Sequence, residues 1–256
     1  MFVTIIIMII ATASQKGGVG KTATSVNLAS CLGQRTLLVD LDPQGACSIS
    51  LGIDPDSLST TIYDALTERA NIRDVILPTS YGFDLAPSNI DLAEAELALA
   101  ATPGREFALR RALSPVLDSY DQIVIDTPPT LGLLTMNAFA VADSVLIPVS
   151  TQLLSLRGLA TLMETIEKIR RYSINPELTV LGILPTKYDR RLIHARQVLE
   201  YLDTFTTQQG IRLFSPVRAT VRFDESVNEH TPFVLLYPDD EASSAFREVA
   251  EHVRQT

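Results

Sequence analysis

The sequence predicts an α/β P-loop fold, with a mostly parallel sheet of seven or eight strands flanked by helices on both faces. Three observations carry this expectation. Short apolar, β-rich runs alternate along the chain with longer amphipathic stretches. Those runs are almost continuously apolar, as strands covered on both faces are. One of them leads directly into the glycine-rich stretch SQKGGVGKTATS (14–25), which opens a helical pattern.

Taken in order, the first strand covers Thr4 to Ala13, where MFVTIIIMIIA is too short for the roughly 20 apolar residues of a bilayer span. It has no basic n-region either, so it reads as a buried strand rather than a leader. Further strands are expected at Thr36–Asp40, Phe83–Pro87, Gln122–Asp126, Ser144–Val149 and Thr179–Pro185, with a last one at Arg212–Phe214. Helical periodicity covers Lys21–Leu32, Ile62–Thr67, Ile90–Ala101, Glu106–Asp118, Leu134–Ala142, Leu156–Tyr172, Leu192–Gln209, Asp224–Glu229 and Glu241–Arg254. No repeat, linker or low-complexity tract interrupts the pattern, so 1–256 reads as one domain. Residues 1–7 read either as an upstream-start extension or as a longer first strand.

Hydrophobic residues make up 46% of the chain, enough for a sizeable core, and the two cysteines, Cys31 and Cys47, read as free thiols rather than a metal framework. The net charge is −9, which by itself argues against nucleic acid as a partner. The charge is uneven, however. Between Lys187 and Arg222 seven basic residues face three acids, a local +4 on a body that carries −13. These features together suggest a soluble, cytoplasmic protein with one basic face.

The glycine stretch has a physical reading. Gly17, Gly18 and Gly20 let backbone N–H groups turn inward around an anion, and the positive end of the following helix faces the same point. Val19 and Ala23 belong to the same wrap. Lys21 is then placed to reach β and γ phosphates, and Thr22 to offer its hydroxyl to Mg²⁺. The usual G-x-x-x-x-G-K-[ST] pattern is broken at one place: Gln15 stands where its first glycine belongs, and Lys16 precedes the double glycine.

This arrangement resembles the deviant Walker A box of the ParA and MinD ATPases. LLVDLDPQG (37–45) is similar to that family's second box, IVIDTPPTLGLLTMNAFAVADSVLIPV (123–149) to its Walker B and switch region, and GLATLMETI (158–166) to the helix that follows. Within the family the resemblance is to the small ParA/Soj partition type. It implies ATP and Mg²⁺ as cofactors and a homodimer that sandwiches two nucleotides, with Lys16 crossing to the partner's phosphates. It also implies that Asp42 orients and polarises the attacking water, with Asp40 supporting it near Mg²⁺. Asp40 and Asp42 are two apart, so in an extended segment both side chains share a face. Asp126 ends a strand before Pro128 and Pro129, a stop that holds a carboxylate at the sheet's C-terminal edge, where it would hold Mg²⁺ through water. Nucleotide contacts are further expected from Pro128, Lys187 and Pro216. Hydrolysis is expected to be slow, since no intrinsic arginine finger is evident.

TKYD (186–189) resembles the T-K-x-D with which signal-recognition-type GTPases read guanine, so a GTPase or metallochaperone of the same fold is an alternative. A MinD-like membrane-cycling ATPase is another. The terminal stretch AFREVAEHVRQT places Phe246, Val249, Ala250 and Val253 on one helical stripe, but its polar face mixes Arg247, Glu248, Glu251 and Arg254, which suits packing onto the domain better than anionic lipid. The resemblance favours ATP-dependent binding of nonspecific DNA through Arg190, Arg191 and Arg222, with no membrane partner. It also implies a ParB-like or other adaptor that stimulates hydrolysis, a cargo to be positioned or segregated, and a place on the nucleoid. Two departures stand against a conventional ParB: Gln152 occupies a position where family members often carry glutamate, and MFVTIII has no basic residue.

Overall fold

The computed structural model describes residues 7–256. Seven strands form one sheet: β1 (Met8–Thr12), β2 (Thr36–Asp40), β3 (Leu77–Pro78), β4 (Asp84–Ala86), β5 (Gln122–Asp126), β6 (Ser144–Ser150) and β7 (Thr179–Thr186). Their order across the sheet is β3-β4-β2-β5-β1-β6-β7. All neighbours run parallel except the edge pair β3 and β4. The longer helices are α1 (Lys21–Leu32), α2 (Leu133–Val141), α3 (Leu153–Arg171), α4 (Ile193–Gln209) and α5 (Glu241–Gln255).

Strand alternation sorts the core into two layers. Ile9, Leu37, Val39, Ile123, Ile125, Val145 and Ile147 pack with residues of α2, α3 and α4 on one face. Their sequence neighbours Ile10, Leu38, Val124 and Leu146 pack with α1 and α5 on the other. Each parallel strand is therefore buried on both sides, and this is why its sequence lacks polar alternation. The terminal helix belongs to this core: Phe246, Val249, Ala250 and Val253 are all buried, and Arg254 reaches the C-terminal carbonyls of α1.

The α/β expectation with helices on both faces holds, and α1 has the expected bounds. Several elements differ. The expected helix at 90–101 is a 3-10 turn, Ile90–Glu94, followed by one α turn, Ala95–Ala98. That at 106–118 is broken, because Pro115 turns its second half into the 3-10 segment Ser114–Ser119. Arg212–Phe214 adds no strand; it touches β7 through a single bridge, Leu213 to Ile183. The antiparallel edge strand β3 is new, two residues ending in a proline that only an edge tolerates. So are the short helices Ala46–Ser50, Ile72–Val75 and Phe233–Leu236. Half of the expected N-terminal strand appears as β1, Met8–Thr12, while Thr4–Ile6 and nearly all of the 1–7 segment fall outside the described residues. No helix among those residues is long and apolar enough to cross a membrane.

Candidate functional site

The site forms where the central strands end. Register aligns Asp126 with Thr12 on one side and with Asp40 on the other, so β1, β5 and β2 finish at one level. The chain leaves β1 through a loop whose Gly18 and Gly20 have φ of 68° and 90°, left-handed values that side chains rarely adopt. Gly20 caps α1 without any side-chain hydrogen bond, and the first turn of α1 has no acid, so its N–H groups stay available to an anion. A Cβ added at Gly17, Gly18 or Gly20 would meet nothing within 4 Å, so the inner surface of this wrap faces open space.

Beneath the loop lies a tightly bonded carboxylate cluster. Thr22 Oγ1 donates to Asp126 Oδ2 at 2.7 Å and Ser25 Oγ to Asp126 Oδ1 at 3.0 Å. Asp40 accepts from the backbone N–H of Asp42 at 2.9 Å and of Cys47 at 3.1 Å. Ligand atoms of Asp40, Cys47 and Asp126 all lie within 4.8 Å of one another, and all three residues are buried. Burial and the facing Asp126 push Asp40 above the usual carboxylate range; burial also raises Asp126, against the Thr22 bond, the Lys21 charge and the Ser25 bond. Burial lowers the Lys21 ammonium, and the charges of Asp126 and Asp42 oppose that shift. Two buried carboxylates that resist ionisation without a cation beside them, with a hydroxyl on the same edge, are a hard-oxygen donor set that a magnesium ion fits.

Asp42 lies just past the end of β2 and is half-buried. Its Oδ1 caps the N–H of Gln44 at 3.1 Å, and its carbonyl accepts from Ser88 Oγ at 2.6 Å and from the N–H of Gly45 at 3.0 Å. These bonds fix the backbone of the loop that carries the carboxylate. Lys16 lies over α3: its Nζ donates to Gln152 Oε1 at 2.7 Å and to Ser155 Oγ at 3.4 Å. Pro128 is buried two residues beyond Asp126.

A second hollow of about 460 Å³ opens beside the loop, lined by Val19, Gly20, Ala23, Lys187, Asp189 and Phe223 among others. Thr186 Oγ1 donates to the Val19 carbonyl at 2.7 Å and ties the end of β7 to the glycine loop. Pro216 is half-buried next to Val217, which also lines the hollow.

The structure changes the picture of the basic tract. Arg191 pairs with Asp189 at 2.7 Å, Arg212 with Glu248 at 3.2 Å, Arg218 with Glu241 at 2.7 Å and Arg222 with Asp240 at 2.9 Å. Three of those four acids lie outside the 187–222 segment, so the local +4 is largely balanced in space. Arg222 also lies over the Tyr237 ring, 5.0 Å from its centroid. Lys187, Arg190 and Arg196 take part in no ion pair among the described residues. Sequence reasoning missed Ser25 and Cys47 as neighbours of the site residues, while Gln152, noted there as a departure, turns out to hold Lys16. For Ser25 a signal existed, since it follows Thr22 by three residues on one helix face.

A family model described as an AAA domain matches residues 7–180. The chain is 39% identical over 249 residues to the sporulation initiation inhibitor protein Soj of Bacillus subtilis, covering 96% of this chain and 97% of that one. It is 43% identical over 231 residues to the chromosome partitioning protein ParA of Myxococcus xanthus, covering 89% and 81%. Among solved structures, cobyrinic acid a,c-diamide synthase from Mycobacterium smegmatis with bound ADP and magnesium superposes with a TM-score of 0.83 at 36% identity, covering 96% of this chain and 93% of that one.

Proposed function

The chain belongs to the ParA/MinD family of P-loop ATPases, and from that premise we propose that it is a partition-type ATPase: an ATP-dependent homodimer that binds nonspecific DNA and positions a cargo. The observation that carries the ATPase part is the Thr22–Asp126–Ser25 and Asp40 cluster lying directly under an open, left-handed glycine loop. The loop amides and Lys21 hold the phosphates, with the N-terminus of α1 adding its dipole. Magnesium, when bound, supplies charge neutralisation to the phosphate oxygens. Thr22 would ligate it directly, and Asp126, with Asp40 behind it, would hold its water shell. Asp42 orients the attacking water and takes up its developing positive charge.

Lys16 has a different task. Its hydrogen bond to Gln152 keeps it on its own subunit, and it reaches a partner's phosphates once that bond is released. Its acceptor is a neutral amide, a weaker hold on an ammonium than a carboxylate would be.

Arg190, Arg191 and Arg222 are the proposed DNA contacts. All three are exposed, and a dimer doubles the cations presented on one face. Arg222 must exchange Asp240 for a DNA phosphate, whereas Arg191 keeps its Nη1 N–H groups free of the Asp189 pair, and this favours binding that is weak in the monomer and strong only when two faces act together. The terminal helix, whose apolar stripe is covered by the domain, supports DNA rather than lipid as the surface on which the protein moves. An adaptor of the ParB type or another cargo-bound protein stimulates turnover and release, and the protein works on the nucleoid in the cytoplasm.

The test is an electrophoretic DNA shift with Asp42→Ala under ATP, ADP and no nucleotide, at low and moderate salt. The reading expects a shift with ATP alone, weakened by salt and lost when Lys16→Ala is added. Dimerisation without any shift would remove DNA from the proposal.

A further inference from the structure

The hollow beside the glycine loop contains an ion pair whose geometry bears on base selection. Asp189 and Arg191 both line it, together with the apolar surfaces of Val19, Ala23, Val217 and Phe223. The volume of about 460 Å³ is in the range of small-ligand pockets. Asp189 is held in place by its neighbours. Lys187 takes a left-handed turn at φ 53°, with its carbonyl accepting from Thr151 Oγ1 at 3.1 Å. Tyr188 is pinned on both sides, donating to the Val217 carbonyl at 3.1 Å and accepting from the Ala219 N–H at 2.9 Å.

Both oxygens of the Asp189 carboxylate are occupied by one side chain. Arg191 Nε donates to Oδ1 at 3.0 Å and Nη2 to Oδ2 at 2.7 Å, while the Arg191 backbone N–H adds a third bond to Oδ1 at 3.0 Å. This two-point pattern is the one that guanine's adjacent N1–H and N2–H donors would make with a free carboxylate. Adenine presents an N1 lone pair in the same place, which a bare carboxylate repels and a carboxylate covered by a guanidinium does not. One pair of residues thus has two effects on the base edge.

We propose that Arg191 is a specificity-determining residue that excludes guanine and admits adenine by capping Asp189. This deepens the nucleotide-binding reading above and rests on it. The Arg191 side chain is 84% exposed, so the cap is a surface pair that a stronger competitor can displace, and the discrimination it gives is moderate. Lysine cannot replace the fork with one ammonium.

Equilibrium binding of fluorescent N-methylanthraniloyl-ATP and -GTP with Mg²⁺ to the full chain, without DNA, tests this. In Arg191→Ala the GTP affinity is expected to rise about tenfold and the ATP affinity to stay level or fall about threefold. Arg191→Lys should fall between, and adding Asp189→Asn to Arg191→Ala should erase the gain at GTP. A GTP affinity that stays within twofold in Arg191→Ala, or a gain that survives Asp189→Asn, overturns the proposal while leaving nucleotide binding intact. Failure of the wild-type chain to bind either nucleotide overturns both readings.

Discussion

The two ends of the nucleotide cleft are built on different physics. At the phosphate end, Asp126, Asp40 and Lys21 are buried, and register or a single helix turn fixes each polar partner. Along the 187–222 face the arginines are exposed, and three of them pair with acids 18 to 36 positions away. Loss of a contact at the first end leaves a buried carboxylate without its donor. Loss at the second exposes a charge to water that was largely there already. Energetic cost should therefore concentrate at the phosphate end, and dependence on salt and partner at the other.

The largest expected effect separates chemistry from binding within the first end. Asp42→Ala should lower single-turnover ATP hydrolysis by at least about 100-fold, in the range a positioned acid–base group contributes, with nucleotide affinity within about threefold. Hydrolysis retained within tenfold would move the catalytic role away from this carboxylate. Next comes packing under the arginine face. A Cβ at Gly182 would collide with the Phe214 ring and sit 2.8 Å from the Arg212 carbonyl, so Gly182→Ala should cost roughly 3 kcal/mol in chemical denaturation. Gly17→Ala is its counterpart, since its Cβ meets nothing: stability should change by less than about 0.5 kcal/mol while nucleotide affinity falls. Equal destabilisation by the two would contradict the placement of open space above the loop.

A smaller loss sharpens the comparison further. Ser25→Ala removes a donor from Asp126 and should destabilise the nucleotide-free protein by about 2 kcal/mol, as hydrogen bonds to charged groups do. Magnesium bound with nucleotide should recover part of that loss, because the metal ion supplies positive charge to the same carboxylate. A thermal shift series with and without Mg·ATP reads both quantities, and a deficit that nucleotide leaves untouched would place Asp126 outside the binding site.

How much of this was legible follows the same division. The bounds of α1, and the ends of β2 and β5 at Asp40 and Asp126, were set by local apolar runs and the glycine loop, and they stand. The meeting of Thr22, Asp40 and Asp126 follows from parallel strands ending together, which short motifs encode. The two-residue β3, the helix at Ala46–Ser50 and the breaks in 90–118 are too short for periodicity to declare. The arginine partners were least legible of all. Asp240, Glu241 and Glu248 sit on α5 or at its start, and only the packing of that helix beside the 212–222 segment brings them to Arg222, Arg218 and Arg212.

The smallest effect bears directly on those partners. Arg222→Ala removes an ion pair whose guanidinium is half exposed, so stability should change by less than about 1 kcal/mol. If Arg222 meets a phosphate, the same change should weaken ATP-dependent DNA binding across all sequences and lower the salt slope by about 1. Asp240→Asn is the complementary variant. Asp240 also caps α5 by accepting from the Ala242 N–H at 3.0 Å, and asparagine caps as well as aspartate, so the helix should keep its start. What changes is the charge beside Arg222, which then meets DNA without displacing a carboxylate. DNA affinity should rise several-fold, and the rise should vanish when Arg222→Ala is added. A rise that persists in the double variant would mean that Asp240 acts through the general field of the face and not through Arg222, and the DNA contact would then shift toward Lys187, Arg190 and Arg196, the cations of this segment that no acid among the described residues holds.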